Sequence, residues 1–83
     1  MKQYIATFFS HFGALRFQKL CSQLSWPARL APVPRSLSSS CGTCVLFQTA
    51  ELAKNDLSQL ITPELEQLVL DDNGYTFLYT VEE

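Results

Sequence analysis

The sequence predicts an α+β fold in the order strand, helix, strand, strand, helix, strand. Three observations carry that expectation. Short β-branched and aromatic runs occur at residues 4–9, 45–47 and 75–81. Apolar stripes of helical period occupy residues 10–24 and 52–69. Turn-forming residues separate them: Trp26-Pro27, the segment from Pro32 to Gly42, and Asp71-Asp72-Asn73-Gly74.

Eighty-three residues make one domain, spanning 1–83, with a small but workable core. An apolar fraction of 47% is ordinary for a globular chain and argues against disorder. Three cysteines are an odd count, which excludes a complete disulfide framework and points to reduced thiols in the cytoplasm. The run Tyr4 to Phe9 is interrupted by Ser10 and His11, lacks a small-residue cleavage site, and is too short to span a bilayer.

Taken in order, Tyr4 to Phe9 reads as a strand. Ser10 is placed to cap a helix whose stripe is Ala14, Phe17, Cys21 and Leu24, with Leu20 beside it. Trp26-Pro27 ends that helix, since proline pushes the preceding residue away from helical dihedrals. Ala28 to Val33 is a second strand, at a sheet edge because of Pro32 and Pro34. A loop, Arg35 to Ser40, leads into a third strand, Gly42 to Gln48. Thr49 caps a second helix running to about Ile61. Thr62-Pro63 restarts it, with Glu64 and Glu66 near its positive end and Leu65, Leu68 and Val69 continuing the stripe. After the turn, Tyr75 to Val81 is the last strand.

That order is the split pattern of a ferredoxin-like sandwich, βαββαβ. A right-handed first crossover makes the first two strands parallel. The third then runs back between them, giving a four-stranded antiparallel sheet of order 4-1-3-2 with both helices on one face. The loop before the third strand thereby reaches the rim where the first strand ends and the first helix begins. Ser10, His11 and Phe12 share that rim with Cys41, and Glu82 and Glu83 are expected near it.

The formal net charge is −2, unevenly spread. Residues 1–48 carry Lys2, Arg16, Lys19, Arg29 and Arg35 and no acid, whereas 49–83 carry all the acids against Lys54. The plain reading is a basic helix beside an acidic one. Five scattered cations are too few for nucleic acid, and the aromatic residues Phe8, Tyr75, Phe77 and Tyr79 lack the interleaved basic residues of an RNA-stacking sheet. They read as core, or as a homodimer interface on the open sheet face.

The chemistry concentrates at Cys41-Gly42-Thr43-Cys44, a CxxC after a serine-rich loop. A free thiol near its ordinary pKa of about 8.5 is mostly protonated at neutral pH. The helix N-terminus, Arg35, His11, and an anion-binding concavity of backbone amides around Ser39, Ser40, Cys41 and Gly42 are candidates to favour the thiolate. Gly42 permits a backbone conformation closed to other residues and leaves space over the sulfur. If the segment is extended, the two cysteine Cα atoms lie about 10 Å apart, beyond the roughly 7 Å a disulfide tolerates. Their side chains would also face opposite ways. One CxxC is a poor zinc site, and no metal or other cofactor is expected. Cys21 belongs to the inner stripe of the first helix. Paired carboxylates, a phosphate-binding glycine loop and a catalytic triad are all missing from the pattern, so a carrier or binding role fits better than an enzyme.

The segment from Ser10-His11 to Leu20, and Pro32-Val33-Pro34-Arg35 followed by Ser38-Ser39-Ser40-Cys41-Gly42, resemble the DUF3343 family of small bacterial selenium/sulfur carrier-like proteins. The similarity covers residues 4 to about 47. It implies a cytoplasmic protein that holds sulfur or selenium as a persulfide or perselenide on Cys41 and exchanges it with donor and acceptor proteins. Cys44 would assist as a resolving thiol, with Arg35, His11, Ser39, Ser40 and Gly42 tuning and shielding the site. The alternative is a non-enzymatic interaction domain, or a redox or metal sensor, of the same fold.

Overall fold

A computed structural model describes residues 1–50, 52 and 54–81, with Lys54 and Asn55 described by backbone alone. Seven elements follow one another: β1 (Lys2–Phe8), α1 (His11–Gln23), β2 (Ala28–Pro32), β3 (Thr43–Thr49), α2 (Lys54–Leu60), β4 (Leu65–Asp71) and β5 (Tyr75–Thr80). The strands form one antiparallel sheet of order β2-β3-β1-β4-β5. The fold is therefore α+β with two helices, as expected, but the sheet has five strands rather than four. Glu82 and Glu83, expected by the rim, lie outside the described residues.

The added strand is the segment expected to extend the second helix. Residues 62–71 are not a continuation of the second helix: 65–71 form β4, which pairs with β1. The turn at Asp72-Asn73-Gly74 then makes β4 and β5 a hairpin, with Asn73 (φ 57°) and Gly74 (φ 128°) in left-handed conformations that asparagine and glycine tolerate. The helical spacing of Leu65 and Leu68 has a local cause. Thr7 pairs with Gln67 and Phe8 with Leu65, which leaves Glu66 as the extra residue of a β-bulge. One inserted residue stretches the two-residue alternation to three, and a three-residue step resembles a helix.

Both helices pack on one face of the sheet. Tyr4, Ala6 and Phe8 of β1, Val45 and Phe47 of β3, and Leu65 and Leu68 of β4 meet Ala14, Phe17 and Cys21 of α1 and Leu60 of α2. Phe47 is the centre of this layer. Tyr4 and Trp26 stack on it with centroids 5.3 and 5.8 Å away, and Phe17 tilts against it at 5.4 Å. Aromatic pairs in this range add about 0.5–1.5 kcal/mol each beyond their buried area.

Helix α1 starts where the sequence places it. The Ser10 hydroxyl accepts a hydrogen bond from the Gly13 N–H at 3.2 Å. Its end is set by Ser25, ahead of the proline. Ser25 takes a left-handed φ of 61°, and the Trp26 N–H donates to Cys21 O at 2.9 Å while the Ser25 N–H donates to Ser22 O at 3.1 Å. That is a Schellman closure. It reverses the chain so that Trp26 returns to Phe47.

The charge halves meet at a point other than a helix pair. Arg16 of α1 pairs at 3.1 Å with Glu64, which lies before β4 rather than on a second helix. An exposed pair of this kind contributes roughly 0.2–1 kcal/mol.

Glu64 also limits Gly13. A Cβ on Gly13 would lie 2.5 Å from Glu64 Cβ, and the Phe9 N–H holds that backbone by donating to Glu64 O at 3.0 Å. Gly13→Ala would gain about 1 kcal/mol of helix propensity, but overpacking beside a Cβ that cannot swing aside costs roughly 1–3 kcal/mol. Urea denaturation should show a net loss of about 1 kcal/mol with an unchanged m-value. A raised midpoint would contradict the close approach.

Candidate functional site

The other sheet face carries Ile5 and Thr7 of β1, Cys44 and Leu46 of β3, and Gln67 and Val69 of β4, as the strand registers require. No helix covers it. The β2–β3 connection, residues 33–42, folds back over its upper part instead. The Val33 N–H donates to Gly42 O at 3.1 Å and closes the neck of the loop. A turn at residues 34–37, with the Leu37 N–H donating to Pro34 O at 3.0 Å, drives Leu37 inward. Leu37 is 6% exposed and packs with Ile5, Cys44 and Val69. Burying one leucine contributes about 1.5–3 kcal/mol. The segment is a compact loop with adjoining ends and a packed side chain of its own.

Polar contacts hold the far side of the loop. Because Glu66 is the bulge residue, its side chain and that of Gln67 both reach the loop face. Glu66 Oε1 accepts from the Thr7 hydroxyl and from the Ser40 N–H, each at 3.2 Å, and Oε2 accepts from the Ser40 hydroxyl at 2.6 Å. The Gln67 amide donates to Ser38 O at 2.8 Å, and the Ser39 hydroxyl donates to Phe8 O at 3.4 Å. Residues 38–40 are thus tied to the ends of β1 and β4.

This fixes where the thiols lie. Thr7 pairs with Cys44, so Cys41, three residues earlier, lies past the end of β1 beside the start of α1. Cys41 is partly buried against the helix-side core, and its Sγ–H donates to Thr43 O at 3.4 Å. Cys44 is fully buried on the opposite, loop-covered face, and its Sγ–H donates to Pro32 O at 3.7 Å. All three cysteines are free. Burial pushes the Cys44 thiol up; Arg29 partly offsets this and Cys41 reinforces it. Burial pushes Cys21, inside the helix-side core, up to about 12. Cys41 is the only one of the three that is not buried.

The other expected site residues divide. Ser39 and Ser40 join the loop's anchoring, and the Ser40 N–H, a candidate donor to a bound anion, serves the Glu66 carboxylate. Gly42 has φ 76°, and a Cβ there would meet nothing within 4 Å. Its conformation requires glycine, while the space around it does not. His11 and Arg35 are exposed. Among the described residues, no hydrogen bond or ion pair joins either of them to Cys41. No group of three or more potential metal ligands occurs among the described residues, and none of their helices is long and apolar enough to cross a membrane.

Glu66 and Gln67 are the residues that sequence reasoning assigned elsewhere. The signal available for them was the Asn73-Gly74 pair, which between two apolar runs marks a hairpin and turns residues 65–71 into a strand.

A family model described as "Putative Se/S carrier protein-like" matches residues 3–61, more than half of the chain. The protein belongs to that family, the one the sequence resembles. The match takes in β1 through α2 and the whole loop, and stops before β4. No curated protein and no solved structure matches the chain.

The buried thiols make stability depend on alkaline pH. In the fold Cys21 keeps its proton to about pH 12, whereas in the unfolded chain it loses it near 9.0. The folded state therefore binds more protons between those values, and its stability falls as pH rises through them. Cys44 acts in the same direction. Denaturation curves from pH 9 to 12 should show this fall, and Cys21→Ala should be less stable below that range yet decline more gently across it. Parallel declines would show that Cys21 does not contribute.

Proposed function

We propose that the protein is a small carrier that accepts sulfur or selenium on Cys41 and hands it to another protein. One observation carries the reading: of the three thiols, only Cys41 is not buried, on a loop anchored from both sides, while the other two are enclosed. Family membership supports the same class of role.

The chemistry is thiol exchange. A donor persulfide, R–S–S–H, presents its outer sulfur to the Cys41 thiolate. The new S–S bond forms as the donor's bond breaks, and the donor leaves as R–S⁻. Cys41 then holds –S–S–H, and transfer to an acceptor nucleophile repeats the step in reverse. A perselenide would follow the same electron count. Such a carrier needs an accessible sulfur and a surface that admits two protein partners in turn. It does not need a deep pocket: the cleft of about 430 Å³ between α1 and residues 62–64, lined in part by Phe12, Arg16 and Leu20, lies away from the loop, and the one that adjoins the loop at Ser38, Glu66 and Gln67 measures only about 180 Å³. A cytoplasmic location suits a carrier whose thiol must stay reduced between cycles. Cys44, enclosed under Leu37, takes no part in loading while the loop is closed.

Intact mass after incubation with a cysteine desulfurase and L-cysteine tests the proposal. The wild type should gain the mass of one sulfur atom, reversible by dithiothreitol, and Cys41→Ser should gain none, while Cys44→Ala still loads. Equal loading of wild type and Cys41→Ser would sink it.

A further inference from the structure

We infer that Glu66 is a positioning residue that latches residues 38–41 to the sheet, presenting Cys41 at the rim and keeping Cys44 shut beneath Leu37. Its functional meaning rests on the carrier reading above; its geometry does not.

Three observations converge on this residue. The bulge at Glu66 breaks the alternation of β4, which sends two neighbouring polar side chains to the loop face. The carboxylate then bridges two elements, accepting from Thr7 of the sheet and from both the N–H and the hydroxyl of Ser40. Ser40 immediately precedes Cys41, so the grip acts one residue from the thiol. Gln67 adds a second hold at Ser38 O. Between these holds and the neck at Val33 and Gly42, Leu37 covers Cys44. Bonds to a charged acceptor are the shorter and stronger kind, and the 2.6 Å bond from the Ser40 hydroxyl to the carboxylate is a firmer hold than the Ser39 hydroxyl bond at 3.4 Å.

The latch matters for a loaded carrier. If Cys44 were free to approach, its thiolate would attack Sγ of the Cys41 persulfide. A Cys41–Cys44 disulfide would form, the S–S–H bond would break, and hydrosulfide would leave with the electron pair. The Cys44 proton would pass to solvent, and no outside oxidant would be needed. The cargo would be lost without an acceptor. Closure keeps Cys44 enclosed on the face opposite to Cys41, which blocks that route.

Site-resolved alkylation of the native protein with iodoacetamide tests the latch, with Cys21 as an internal reporter of global unfolding. In the wild type Cys41 should react while Cys44 and Cys21 stay protected. Glu66→Ala should speed Cys44 labelling by about tenfold or more, the loss of one bond to a charged group, and leave Cys21 unchanged. Glu66→Gln keeps a carbonyl acceptor for the Ser40 N–H and should restore much of the protection. Cys44 labelling that stays at the wild-type rate, or rises only in step with Cys21, would overturn the latch. On persulfide-loaded protein, Glu66→Ala should release hydrosulfide faster than wild type, and adding Cys44→Ala should remove the increase. Equal release would overturn the guarding role. If Cys41 accepts no sulfur at all, the carrier reading fails, and the labelling result still decides the latch.

Discussion

The arrangement of this protein turns on the covering of a sheet face by a loop instead of a helix. Two helices bury one side of the sheet around Phe47, which leaves Ile5, Cys44 and Val69 facing water on the other. Leu37 closes over them. A leucine alone does not hold ten residues in one conformation, because each ordered backbone unit costs about 1–2 kcal/mol of entropy. The Pro32 and Pro34 flanks lower the freedom of the unfolded loop, and the contacts of Glu66 and Gln67 add what packing lacks. Everything about the thiol site follows: which cysteine meets solvent, which is enclosed, and which backbone amides are already occupied.

Much of the frame was legible in the sequence. Ser10 as cap and the stripe through Ala14, Phe17 and Cys21 follow from local rules that tertiary context leaves in force, although Leu24, expected on the same stripe, is exposed at the helix end; the placing of Cys41 past the end of β1 follows from the third strand pairing with the first. The error fell on Leu65 to Asp71. A β-bulge converts strand spacing into helix spacing, and periodicity cannot separate the two over seven residues. Misassigning that segment also hid Glu66, whose role exists only because β4 pairs with β1. Likewise, nothing in the chain's periodicity announces that Leu37, alone in a polar loop, is a core residue. Besides Cys44, its contacts are with strands 30 or so residues away on either side.

The CxxC spacing invites a redox pair, and the fold separates its members. Gly42, in a left-handed conformation, turns the chain out of the loop and into β3. Cys41 stays with the helix side and Cys44 with the loop side. Two identical side chains three residues apart acquire different surroundings: Cys41 is only partly buried, while Cys44 is enclosed and its thiol is pushed up chiefly by burial.

The central claim is that residues 33–42 are folded onto the sheet in the resting protein. Solution NMR tests it most directly, through methyl contacts of Leu37 and backbone order parameters of the loop. The account predicts cross-peaks from the Leu37 methyls to those of Ile5 and Val69, with order parameters for residues 37–41 near the rigid value of about 0.85. Absent cross-peaks with order parameters below about 0.6 would show a free loop and contradict the account.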